Sequence, residues 1–347
     1  MRLRSLLVLG TAALLLVSGC TAEPTPKPTA TSSATASPTP TPTPTPEPLA
    51  DPDAAFDVTC DDVADAMAAL VGEPPTPVQP VMSIISTMSW LPGPAQHMFQ
   101  RAGGVACSAG DDARNWEVTI VPDAQAVIDG AAERQGWWGE SADCSEGMCR
   151  FEIVDSDVLL SAFVDDPALG ADDTGRIEEG LRRLAARAAA TGHAVEYVDS
   201  DIVGLACDRF ITVEQVAESV GEGVVLFDDF GGWGIPAEVY HYVNGSRICY
   251  YTSAEGNSES LRSYLMLTTL PAGAWAFEKL AGDPVEVPGA DAAKASAGEQ
   301  GQTILDVRVG LDWIRLMTYD NGAGAGDPLP LAEVVVRNLT VGHTAPE

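Results

Sequence analysis

Apolar residues recur along this chain in two rhythms, and both rhythms come round twice. They fall at helical spacing from Cys60 to Val71 and again from Cys207 to Val220, and Gly72 and Gly221 follow where helices favour a terminating glycine. In the second segment Thr212 and Gln215 have capping-box spacing, and Val213, Val216 and Val220 share one face. Trp116–Val121 and Leu261–Leu270 read as strands. The prolines that follow, Pro122 and Pro271, each open a helix-like stretch. Arg150–Val154 with Asp157–Val164, and Thr303–Val309 with Asp312–Tyr319, read as strand pairs across turns, with Val154-x-x-Asp157 matching Val309-x-x-Asp312. Ile177, Leu181, Leu184 and Ala188 mark one face of a closing helix, and Leu331, Val335 and Leu339 that of another.

The repetition is sharpest where residues 94–107 align without gaps to residues 236–249. Pro94 and Pro236, Ala95 and Ala237, Gly103 and Gly245, and Cys107 and Cys249 coincide. Asn244-Gly245 suits a type I′ turn, so a β-hairpin is expected in the second stretch and, by alignment, in the first. Strands outnumber crossovers. The expected fold is α+β: two tandem repeats, residues 53–192 and 193–347, each an antiparallel sheet with helices packed on one face.

Six of the seven cysteines lie in these repeats, which by counting alone allows fifteen pairings. Each repeat places one cysteine at the entrance of its first helix and one on the return strand of its hairpin. That predicts Cys60–Cys107 and Cys207–Cys249, each closing a loop worth about 4 kcal/mol in the chain-entropy view. Cys144 and Cys149 flank a short turn, and a local bridge is the simple choice.

The seventh, Cys20, ends a different pattern. Arg2 and Arg4 precede an apolar run from Leu6 to Val17, and Leu16-Val17-Ser18-Gly19-Cys20 resembles the bacterial lipobox. Residues 1–19 are therefore expected to be a lipoprotein signal peptide, with Cys20 lipidated and the chain held outside the cytoplasmic membrane by that lipid. Two acyl chains suffice for stable anchoring where one is marginal. Residues 20–52 add a Thr/Pro-rich tract that cannot build a core. It is expected to be a disordered stalk, reaching up to roughly 100 Å at about 3.1 Å per residue.

Charge narrows the partners. The chain carries a net −31, and losing Arg2 and Arg4 with the leader makes the mature chain two units more negative. Nucleic acid and anionic headgroups are disfavoured by repulsion.

The Cys-Asp helix ending in Val-Gly, followed by a strand ending in cysteine, is similar to a family of uncharacterised actinobacterial cell-envelope lipoproteins. Those domains in turn resemble the extracellular sensor domains of mycobacterial serine/threonine kinases. Cys249-Tyr250-Tyr251 fits the family pattern of an aromatic after the second cysteine, whereas Cys107-Ser108-Ala109 departs from it. The resemblance implies a sheet-and-helix fold with a helix–hairpin disulfide and a groove between sheet and helices. It implies no catalytic residues.

Gly256-Asn257-Ser258-Glu259-Ser260 lacks the last glycine of a nucleophile elbow, and there is no His-Glu-x-x-His or phosphate loop. His97, His193, His241 and His343 share no motif, and His97 and His241 are out of register in the repeat. The acidic pairs at Asp61, Asp165, Asp172 and Asp228 lack calcium-loop spacing, and Asp199-Ser200-Asp201 begins such a loop without completing it. Trp90 and Trp233, just ahead of the repeat prolines, are candidate ligand-facing residues, with Trp137-Trp138 a second aromatic pair. The expectation is a non-enzymatic binding or sensing module without cofactor or metal, its partner an envelope protein or a lipid or glycan ligand. A solute-binding lipoprotein of an importer and an envelope hydrolase are the alternatives.

Overall fold

The computed structural model describes residues 49–80, 93–133, 136–137, 139–221, 223–228, 234–254, 262–298, 301–319 and 326–341. Thr59 starts the first helix, α1 (Cys60–Val71), with a capping box: its hydroxyl accepts from the Asp62 amide, and the Asp62 carboxylate accepts from the Thr59 amide at 2.9 Å. Strand β1 (Gln79–Pro80) is followed by a 3-10 turn (Pro94–His97) that runs into α2 (Met98–Arg101). Strands β2 (Val105–Gly110) and β3 (Asn115–Pro122), helix α3 (Ala124–Glu133), strands β4 (Ser141–Ser145), β5 (Met148–Asp155) and β6 (Val158–Asp165), and helix α4 (Thr174–Ala190) complete the first half. All its strand pairs are antiparallel, in the order β1-β2-β3-β6-β5-β4.

The second half gives α5 (Cys207–Phe210), α6 (Val213–Val220), β7 (Val224–Phe227), and α7 (Ile235–Glu238) running into one π turn at Val239–Val243. Then follow β8 (Ile248–Ser253), β9 (Ser263–Leu270), α8 (Ala274–Glu278), β10 (Asp283–Pro284), β11 (Ala292–Ala297), β12 (Thr303–Val309), β13 (Asp312–Thr318) and α9 (Leu329–Val341). These strands form a second antiparallel sheet, β10-β11-β12-β13-β9-β8-β7. The chain is mixed α+β with two antiparallel sheets. Among the described residues no helix is long and apolar enough to cross a membrane.

Three disulfides pair as the spacing predicts. Cys60–Cys107 and Cys207–Cys249 join the first helix of each half to its sheet, with Cα atoms 5.6 and 5.7 Å apart. Cys144 and Cys149 face each other across the β4–β5 hairpin at 4.0 Å.

The expected hairpins are not hairpins. In residues 94–107 and 236–249 the first limb is helical, and only the return limb, β2 or β8, is a strand. Pro94 and Pro236 each sit in a first helical turn, where the fixed φ and missing amide cost nothing. Gly103 and Gly245 do take positive φ, at 75° and 60°, but there they follow the helical limb and turn the chain toward β2 or β8, rather than forming a type I′ turn between strands. The match of Val154 and Asp157 to Val309 and Asp312 is also one residue out. Asp155 pairs with Val158 across one turn and Val309 with Asp312 across the other.

Helices cover both faces of each sheet, not one. A strand solvated on one side alternates buried and exposed residues, whereas β6 is buried or nearly so along its length and β13 is buried at every position. On the outer face of the first sheet, Trp116, Val118, Ile120, Phe151 and Leu160 pack with Val63 and Met67 of α1 and Ile177, Leu181 and Leu184 of α4. On the outer face of the second, Leu265, Leu267, Ile314 and Leu316 pack with Val216 of α6 and Leu331, Val335 and Val336 of α9. The inner faces share one cluster. Met98, Phe99, Val121, Val127 and Leu159 from the first half meet Ile235, Val239, Tyr240, Met266 and Met317 from the second. A buried hydrogen bond crosses it, from Asn244 Nδ2 to the Met98 carbonyl at 2.9 Å.

That bond offers a test of the closure. Asn244→Ala removes it and leaves the Met98 carbonyl with the Ala102 amide alone, and is expected to lower the free energy of unfolding by about 0.5–1.5 kcal/mol in denaturant titration. Unchanged stability would mean that the halves do not close in this way.

Candidate functional site

One end of the seam between the halves is built by three stretches that look like connectors in the sequence: the end of α2, the linker between the halves, and residues 49–53 ahead of α1. They enclose a cavity of about 260 Å³. Arg101, the last residue of α2, forms its inner wall and is only 5% exposed. Its Nε donates to the Pro271 carbonyl at 2.9 Å, and its guanidinium lies 4.7 Å from the centre of the Tyr197 ring in the linker. Burial lowers the Arg101 pKa, and the Asp312 carboxylate opposes that shift.

The Pro271–Ala272 turn that receives Arg101 is held from its other side. Ala272 has φ of 49°, a region costly for a residue with a Cβ, and its amide donates to Asp312 Oδ1 at 2.7 Å. Asp312 is itself buried, which pushes its carboxyl up, while a Ser200 hydrogen bond and the Ala272 amide pull it back. Trp275 of α8 forms another wall, with Lys279 Nζ 5.1 Å from its ring centre. Lys279 also binds the Asp51 carboxylate at 2.7 Å, and Leu49 packs on the cluster around Trp275 and Trp313, so residues 49–51 are fastened to the second half. A broader depression beside this cavity is lined by Asp199, Asp201 and Asp312. Among the described residues no group of three or more His, Cys, Asp or Glu is placed to hold a metal ion.

None of the residues singled out in the sequence that the structure describes lines this cavity. Trp90, Trp233, Trp138, Cys20 and His343 fall outside the described residues. Trp137 is half-buried against the shared inner cluster. His97 packs edge-on against Trp275 at 5.3 Å and donates from Nδ1 to Gln100, and burial lowers its pKa, so the ring is neutral at pH 7. His193 and His241 each donate from Nδ1 to a backbone carbonyl, Thr191 and Ser246 respectively. None of these bonds reaches a serine hydroxyl or a carboxylate. Arg101 and Tyr197 carried no sequence signal. They come together only because the linker folds back over α2, and no spacing rule joins residues so far apart.

Two carboxylates occupy matching places on the inner faces, with different solutions. On the second sheet Asp306 accepts from Arg315 Nε and Nη2 at 2.7 and 2.8 Å and from Trp313 Nε1 at 2.7 Å. Gly93 lies against that guanidinium, where an added Cβ would stand 2.5 Å from Arg315 Cζ. On the first sheet Glu152 has no cation beside it among the described residues. Ser161 Oγ donates to it at 2.5 Å, and burial pushes its carboxyl up to about 7.

No family model, curated protein or solved structure matches the chain.

The Glu152 shift fixes a pH dependence. A carboxyl raised in the folded state holds its proton when the unfolded chain has already lost it. Stability therefore falls as pH rises from about 4.5 through about 7 and is level above that. The loss is at most about 3 kcal/mol. Glu152→Gln should flatten the melting temperature between pH 5 and 8 and raise it at pH 8. A variant with the slope of the parent would place the titration elsewhere.

Proposed function

We propose that this chain is an exported, lipid-tethered binding or sensing module, made of two copies of one α+β unit, whose ligand site is the seam cavity around Arg101. The observation that carries the reading is a guanidinium buried in the wall of a cavity to which both halves and the stalk-proximal residues contribute. Ligand pockets favour domain interfaces and combine apolar walls with a few fixed polar groups.

The address rests on the leader, Cys20 and the Thr/Pro tract. The lipid is the membrane partner, and an envelope protein or small envelope ligand is the second. The two-copy reading draws support from the strand orders, which run β1-β2-β3-β6-β5-β4 and β7-β8-β9-β13-β12-β11 with β10 added at the edge. Support comes too from the disulfides joining first helix to sheet in each half, and from Glu152 and Asp306 in matching positions. The resemblance to actinobacterial envelope lipoproteins and kinase sensor domains points the same way. A solute-binding lipoprotein of an importer is less favoured, because its lobes are built on parallel sheets and both sheets here are antiparallel.

Native mass spectrometry of the full chain, purified in detergent from its own membrane, tests the site. Val198 lines the cavity mouth and is 56% exposed, so Val198→Trp narrows the mouth without touching the core. The parent is expected to carry a small molecule that Val198→Trp loses or holds at least tenfold more weakly. Identical profiles for the two proteins would contradict the assignment.

A further inference from the structure

We propose that the seam cavity takes a small amino carboxylate, a free amino acid with an apolar side chain. This rests on reading the cavity as a ligand site.

The carboxylate partner is set by Arg101. Its Nε edge is already used by the Pro271 carbonyl, and one face of the guanidinium lies against Tyr197. The Nη atoms make no hydrogen bond, and Arg101 forms no ion pair, among the described residues. Asp312, whose charge offsets it from a distance, is committed to the Ala272 amide and Ser200. A guanidinium held by its Nε in a low-dielectric wall presents a two-pronged edge that matches a carboxylate. Arginine this buried is seldom left without an anion.

The rim selects against more highly charged anions and for an ammonium group. Asp53 and Glu196 are exposed at the cavity mouth, and neither is ion-paired among the described residues. Asp51 is neutralised by Lys279. One buried cation behind two free carboxylates, in a chain of net charge −31, repels phosphates and dicarboxylates. A single carboxylate carrying a positive charge satisfies both ends. Between floor and rim, Val195, Ala274, Trp275 and Leu311 give apolar walls. The cavity of about 260 Å³ lies just below the roughly 300–1,000 Å³ common for ligand pockets, which limits the guest to one small molecule.

Isothermal titration of the full lipidated chain in detergent tests this, with L-leucine and L-phenylalanine as probes beside their amides, their N-acetyl derivatives and succinate. The free amino acid is expected to bind at least tenfold more tightly than its amide and than succinate. Arg101→Lys keeps the charge but removes the fork, and should weaken amino acid binding about tenfold. Asp53→Asn with Glu196→Gln alters only exposed residues and should erase the preference for the free over the N-acetylated amino acid, with the melting temperature unchanged. Amide binding equal to amino acid binding, or unchanged affinity in Arg101→Lys, would overturn the proposal. Should no probe bind while Val198→Trp still displaces a co-purified molecule, the ligand class is wrong and the site stands. Should no probe bind and Val198→Trp change nothing, both fail.

Discussion

Each sheet has two apolar faces and, within its own half, enough outer helix to cover only one of them. The inner faces are closed by the other half: Met98, Phe99, Val127 and Leu159 need Ile235, Tyr240, Met266 and Met317, and the reverse. A fully buried aliphatic or aromatic side chain contributes about 1.5–3 kcal/mol relative to exposure. Exposing even a handful of these would offset the 5–15 kcal/mol by which a domain is normally stable. The closure also decides where a cavity can exist. Within the seam the side chains interdigitate, and space remains at its end, where the linker and residues 49–53 cross from one half to the other.

Burying the inner side of both halves in one seam makes every charge there expensive, and the chain answers in three ways. Asp306 is matched to Arg315 and Trp313, an arrangement whose net worth is near zero but whose loss of one partner would leave a bare buried charge. Glu152 avoids the cost by remaining largely protonated until about pH 7. Arg101 cannot do so, since a guanidinium does not give up its proton in this range. It rests instead on a backbone carbonyl and an aromatic face. That leftover cation gives the cavity its chemistry.

Much of this was legible in the chain. Helical and alternating periodicity located the outer helices and the long strands, and the repeated position of the cysteines gave the disulfides. What misled was local. Asn244-Gly245 and Gly103-Gly104 carry the signature of a hairpin turn, yet their glycines follow a helical limb, because the prolines at 94 and 236 start a helical turn before any strand can form. The second covered face was hidden because β6 reads as a mostly apolar run, which does not say what covers it, and because Asp312, Arg315 and Thr318 make β13 look partly solvated although every position is buried. The cavity left no trace at all. Arg101 and Tyr197 are ninety-six positions apart, and their meeting depends on the closure of the halves. Trp90 and Trp233, the aromatic candidates that sequence did offer, lie outside the described residues.

The shared inner cluster makes the two halves one cooperative structure. Native-state hydrogen exchange across a series of denaturant concentrations measures this directly, by comparing the most protected amides of β3 and β6 with those of β9 and β13. The shared core predicts one opening free energy and one denaturant slope for both sets. If either sheet opened at markedly lower free energy while the other stayed protected, the halves would be independent and the inner cluster would not bind them.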